Sequence, residues 1–128
     1  MSYDLLVFEP SAVPIDREAF QAWYEAFMRW DGAWNYNDPA VCSPALQAWE
    51  AGVRRRFWAL NGPYASRTGP WLRPSDSADI TCAPSAIYAG FAWGRAEIAR
   101  ELALALAKRH GVGFYDVSGD GSVWRPNI

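Results

Sequence analysis

The chain has 128 residues, 51% apolar and 20% charged, with 12 Lys and Arg against 14 Asp and Glu for a formal charge of −2. This is the length of one domain, residues 1–128, able to bury roughly two thirds of its unfolded surface without a disulfide or metal staple. The balance argues against a nucleic-acid binder, which would carry a basic excess, and no apolar run approaches the ~18 residues of a membrane span.

Residues 3–8 (Tyr-Asp-Leu-Leu-Val-Phe) read as a buried strand, short, β-prone and stopped by Pro10. A connection over 9–15 leads to a helix with Asp16 as N-cap and Glu18 in the first turn, where the helix dipole favours an anion. Phe20, Trp23, Tyr24, Phe27 and Trp30 follow the spacing of one helical face, and Asp31-Gly32 ends it. A polar and aromatic loop fills 32–42. Ser43-Pro44 then starts a second helix, Ser as N-cap and Pro at the first position. Its apolar stripe is Leu46, Trp49, Val53 and Phe57, with Leu60, and Asn61-Gly62-Pro63 stops it. Gly52 lies inside this helix at a cost of ~1 kcal/mol against Ala, which points to close packing there.

Residues 61–78 form the longest irregular segment. Residues 79–82 and 86–92 read as strands paired around Ala83-Pro84-Ser85, with Gly90 marking a bulge or a close approach of backbone. A third helix runs from about 94 to 110. Ile98, Leu102 and Leu106 face the core, Gly111 is the C-cap, and Lys108, Arg109 and His110 suit the negative end. Residues 112–117 and 122–125 close the chain as a hairpin around Ser118-Gly119-Asp120-Gly121. The order β-α-α-β-β-α-β-β, three helices and about five strands, predicts an α+β fold: a mostly antiparallel sheet covered on one face by helices.

Catalytic and metal-binding patterns are sparse. Asp116-x-Ser118-x-Asp120-Gly121 matches the start of a calcium loop, but the twelfth position is Asn127 rather than Glu, and a strand precedes it. A hairpin turn explains the same residues. His110, the only His, reads as a solvated helix cap. Glu97 and Glu101 share a helix face near Arg95 and Arg100, which points to surface ion pairing. Arg54-Arg55-Arg56 fans around a helix and cannot all meet one ligand. Cys42 and Cys82 lack the spacing of a zinc or redox motif, and the N-terminus has no basic n-region with a long apolar core. Two free buried thiols in a reducing cytoplasm are expected. No catalytic residue, cofactor or metal is assigned.

The surplus is aromatic: 8 Trp, 6 Tyr and 6 Phe. Trp23, Trp30 and Trp49 fit helical stripes and are expected in the core. Trp34, Tyr36, Trp58, Trp71 and Trp124 lie in loops, near element ends or off the stripes, where exposed aromatics act as binding anchors. The partner-binding candidates are Trp34, Tyr36 and Trp71, with Asp76 and Asp79 as acidic loop residues that would steer a basic partner.

Several stretches carry a resemblance: Tyr3 to Pro10, Asp16 to Trp23, Ser43 to Leu46, Asn61 to Ser66, Ile87 to Trp93 and His110 to Gly121. With its Tyr-Asp-Leu-hydrophobic-Val-Phe-acidic-Pro opening, the chain resembles immunity proteins of bacterial polymorphic toxin systems, including contact-dependent growth inhibition. The resemblance implies a cytoplasmic, non-enzymatic protein that binds a cognate toxin domain, nucleases being among the toxin classes it allows, and occludes its active site, with no direct contact to nucleic acid or membrane. It transfers no site residues. The alternatives are a small-ligand or carbohydrate-binding module using exposed aromatics, and a small hydrolase or transferase using Glu97, Glu101 or Asp116.

Overall fold

Strand β1 (Ser2–Phe8) runs through the middle of the sheet, in a computed structural model that describes residues 2–65 and 73–126. Its continuous apolar run Leu5–Phe8 is buried on both faces because a strand lies on each side and helices pack above and below. The elements that follow are α1 (Arg17–Phe27), α2 (Pro44–Arg54), β2 (Trp58–Ala59), β3 (Ser77–Ala83), β4 (Ala86–Ala92), α3 (Ala96–His110), β5 (Gly113–Tyr115) and β6 (Val123–Trp124). The six strands form one sheet in the order β2-β3-β4-β1-β5-β6. Among the described residues only the β2–β3 pair is parallel. The α+β class and the mostly antiparallel sheet therefore stand. The sixth strand is β2, which lies where the second helix was expected to continue. Among the described residues, no helix is long and apolar enough to cross a membrane.

One sheet face carries the larger core. Tyr3, Leu5 and Val7 of β1 alternate inward with Ile87, Ala89 and Phe91 of β4 and Ala78, Ile80 and Cys82 of β3, and α2 and α3 cover them. Asp16 and Ser43 cap their helices as expected, accepting from the Ala19 and Leu46 amides at 3.0 and 3.3 Å. Gly111 closes α3 in the left-handed region at φ 69°.

Two helical stripes are shifted from expectation. Helix α3 is most deeply buried at Ala99, Ala103 and Ala107; of the expected face, Leu102 and Leu106 pack half-buried against the core and Ile98 is left 44% exposed. The alanine face lets α3 come close enough for the buried Trp49 indole to donate to the Ala103 carbonyl at 3.0 Å. Gly52 belongs to the same contact: a Cβ there would sit 2.7 Å from Leu106 Cδ2. Helix α2 ends at Arg54, after which the backbone turns and runs as β2. Phe57 is still fully buried, ring against Phe91 at 5.0 Å, but it arrives there as part of the turn.

The expectation that helices cover one face is corrected. Helix α1 packs on the opposite face, where Phe20 joins Leu6, Phe8, Val13, Ala86 and Tyr115 in a second, smaller core. The sheet's second face is apolar at Leu6, Phe8 and Ala86 and polar further along, at Ser2, Asp4, Ser77, Asp79 and Thr81. Helix α1 buries only the apolar part, and the polar part stays open.

The outer edge of β3 is closed by side chain rather than strand. Beyond Ala78 the Asn61 amide takes over, accepting from Ile80 N at 3.1 Å and donating to Ile80 O at 2.7 Å. The Cys82 amide donates to the Tyr36 carbonyl at 2.7 Å.

Candidate functional site

The open part of the second face is the floor of a cleft of about 690 Å³. Its floor is set by strand alternation. Asp4 of β1, Gly90 of β4 and Asp79 of β3 stand side by side in register, with Tyr88 and Thr81 one pair along. The two carboxylates thus belong to strands on either side of β4, with Cα atoms about 10 Å apart, and between them there is no side chain. Of the two expectations for Gly90, a bulge or a close approach, the bulge is absent: the pairing runs through it unbroken. What its hydrogen provides is space: a Cβ there would lie 3.1 Å from Asp4 Oδ1 and 3.9 Å from Asp79 Cβ.

Asp4 is held from several sides. Its Oδ2 accepts from the Tyr88 hydroxyl at 2.7 Å and its Oδ1 from the Ser2 hydroxyl at 2.6 Å. Its backbone exchanges bonds with Ser118, amide to Oγ at 2.9 Å and carbonyl from the Ser118 amide at 3.0 Å. Burial, and then the bond to Asp4, push the Tyr88 phenol above its usual range. Tyr88 therefore meets Asp4 as a neutral phenol that donates. Among the described residues neither Asp4 nor Asp79 forms an ion pair, and no Lys, Arg or His lines the cleft.

The wall is aromatic and has its own support. Helix α1 ends at Phe27, and Trp30 leaves the helical path with φ 54°, the only positive φ at a described residue other than glycine. That turn lifts Trp30 out of the stripe expected to bury it, leaving it 36% exposed at the cleft. Strain of this kind costs on the order of 1–3 kcal/mol. It is offset by edge-on contacts to Phe27, Tyr36 and Tyr88 with ring centres 5.1, 5.6 and 5.8 Å apart. Trp23 stacks on Phe27 at 5.4 Å and meets Phe8 at 6.3 Å, so a line of rings joins the core to the cleft wall. Met28 and the exposed Leu60 complete the rim.

Of the sequence candidates, Tyr36 and Asp79 line this cleft. Trp34 is 39% exposed and leans on Tyr36 at 5.5 Å, just outside the lining. The Tyr36 hydroxyl accepts from the Gly32 amide at 2.7 Å, pinning this loop. Asp76 is not brought to the cleft wall. It bridges Arg95 at 2.9 Å and Arg56 at 3.1 Å, and these two guanidiniums, Arg95 first, hold its carboxyl below the usual range. Trp71 lies outside the described residues. Asp4, Tyr88 and Gly90 were not singled out for the site from sequence. Their signal was strand parity: in Tyr3–Phe8 and Ala86–Ala92, the positions opposite the core face carry Asp4, Tyr88 and Gly90.

The remaining patterns are structural. The Asp116–Gly121 segment is a turn, in which Asp116, 1% exposed, accepts from the Tyr3 hydroxyl at 2.5 Å and from Arg100 Nε at 3.0 Å. Arg95 and Arg100 pair with these distant carboxylates and not with Glu97 or Glu101. Arg54 pairs with Glu50 at 2.6 Å and lies over the Tyr64 ring at 3.6 Å, while Arg56 reaches Asp76. Cys42 and Cys82 are free, buried thiols of the larger core. Among the described residues no three His, Cys, Asp or Glu side chains gather as a metal site. Comparison with protein-family models, curated proteins and solved structures finds no match to this chain.

Proposed function

We propose that this chain is an immunity protein. It binds a cognate toxin domain in the cytoplasm of the producing cell and blocks that domain's active site, without chemistry of its own. The observation that carries this reading is the cleft: a concave, aromatic-walled surface on the sheet, with two carboxylates and, among the described residues, no cation in its lining. Rigid aromatic anchors give tight binding because they bury large area with little loss of side-chain freedom. Carboxylates at the same place draw a basic surface and reject an acidic one. A toxin that acts on a polyanion presents such a basic surface, and covering it removes the substrate's path. The resemblance of the Tyr3–Pro10 strand and the later stretches to immunity proteins supports the same reading.

The test is co-expression of the tagged chain with the C-terminal domain encoded immediately upstream, scoring growth and co-purification. A stable one-to-one complex with rescued growth is the expected result. A harmless neighbour, or one that kills despite abundant protein, refutes the pairing.

One observation favours a second reading. The cleft volume of about 690 Å³ falls in the range of small-ligand pockets, and sugars stack on aromatic rings. A small-ligand or carbohydrate-binding module would quench Trp fluorescence with a small molecule alone.

A further inference from the structure

We propose that the cleft receives one arginine side chain projected by the bound partner, its guanidinium lying between Asp4 and Asp79 and stacked on the aromatic wall. The inference rests on the partner-binding reading above and names the group recognised.

Three observations select this chemistry. First, the floor is anionic without internal compensation: the donors to Asp4, Tyr88 and Ser2, are neutral, and among the described residues no cation pairs with Asp4 or Asp79. Burying two carboxylates under a partner is costly unless a cation comes with it. Second, the gap between them is kept by Gly90, where any side chain would enter the row: a Cβ would come within 3.1 Å of Asp4 Oδ1. Third, Trp30, Tyr36 and Tyr88 offer ring faces and edges beside the carboxylates, with Trp30 set 5.6 and 5.8 Å from the other two. An ammonium would satisfy the charge alone. A guanidinium is flat, weakly hydrated and forked, so it stacks on a ring and donates to carboxylates in the same pose.

The test titrates the full chain with a blocked Gly-Arg-Gly peptide, its citrulline and lysine counterparts, and free agmatine. The reporters are the Gly90 amide and Trp30 indole NMR signals, the latter assigned with Trp30→Phe. The arginine peptide is expected to bind weakly, on the order of millimolar, and the citrulline peptide about tenfold more weakly or worse. Asp79→Asn, at an exposed position that leaves the fold intact, is expected to weaken binding about tenfold, as is Asp4→Asn. Asp120→Asn, in the turn beyond the cleft, is expected to change nothing. Equal binding of arginine and citrulline peptides overturns the inference, as does the absence of saturable shifts. Agmatine binding about a hundredfold tighter than the peptide overturns it in favour of a free metabolite. Arg67 lies outside the described residues; a gain of about tenfold in the Arg67→Gln variant overturns the inference in favour of the chain's own arginine as occupant.

The two readings fail separately. Rescue of growth that persists in the folded Asp4→Asn/Asp79→Asn variant overturns the arginine inference while immunity stands. Absence of rescue by the natural chain overturns immunity, and the peptide titration still decides what the cleft recognises.

Discussion

Replacing Asp116 with Asn keeps the side chain's shape and removes one of its two acceptors. The carboxylate takes the Tyr3 hydroxyl on Oδ1 at 2.5 Å and Arg100 Nε on Oδ2 at 3.0 Å, and Asp116 and Tyr3 are 1% and 3% exposed. An amide offers a single oxygen, so one donor must face an NH2 group. Loss of a hydrogen bond to a charged group costs about 1.5–3 kcal/mol, and a buried donor left without a partner about 1–3 kcal/mol. The Arg100 side chain is 40% exposed and can turn to water, so its share is discounted. Asp116→Asn is therefore expected to cost about 2–3 kcal/mol. Tyr3→Phe leaves the carboxylate paired with Arg100 and is expected to cost about 1–2 kcal/mol. Because the two side chains share a bond, the double variant should cost less than the two single costs combined, by about 1 kcal/mol. Urea denaturation with an unchanged m-value measures all three. Additive costs, or an Asp116→Asn cost below about 0.5 kcal/mol, would show that the network does not hold the β1–turn junction.

Gly90→Ala places a methyl group between the two cleft carboxylates while improving strand propensity. Stability should change by less than about 1 kcal/mol, while the arginine peptide should no longer shift the Trp30 indole signal. Burial raises the phenols of Tyr3, Tyr24 and Tyr88, most of all in Tyr3 and Tyr88. A raised folded-state value stabilises the fold fully below the unfolded Tyr value of about 10. That stability is lost as pH rises beyond it. Absorbance titration should show these three of the six Tyr ionising late, together with unfolding. Six phenols titrating together with the fold intact would contradict this. Cys42, and then burial, push the Cys82 thiol up, while Cys82 holds the Cys42 thiol below its usual value; both are buried, and burial should keep an aromatic disulfide reagent from either thiol in the folded chain and admit it to both in denaturant. Rapid reaction of either under native conditions would place it at the surface.

Much of the fold was legible because local chemistry and tertiary demand agree. Asp16, Ser43-Pro44 and Gly111 mark helix ends by backbone needs that packing does not change. The apolar run of Tyr3–Phe8 marked a buried strand, though not its place in the sheet or which neighbours would flank it. Periodicity misled where a residue kept its burial but changed its element. Phe57 continues the stripe of α2 in sequence yet reaches Phe91 from a turn, and this hid β2. Trp30 fails in the opposite sense: its spacing extends α1, but the helix ends three residues earlier and the ring turns to the cleft. The cleft itself joins three strands and a loop far apart in sequence. Its aromatic and acidic character could be read residue by residue, whereas the row Asp4–Gly90–Asp79 exists only once the strand order is known.

The amide of Asn61 does for β3 what a whole neighbouring strand would otherwise do. A free β-edge is a template on which another chain can polymerise. Here β2 pairs with β3 through only two residues, and the next backbone groups outward, at Ile80, are saturated by one side chain. The Cys82 amide is taken by Tyr36. An incoming strand would have to displace these bonds before gaining any of its own. At Ile80 and Cys82 the edge of β3 therefore offers no free template, and a strand from another copy of the chain gains nothing by pairing there.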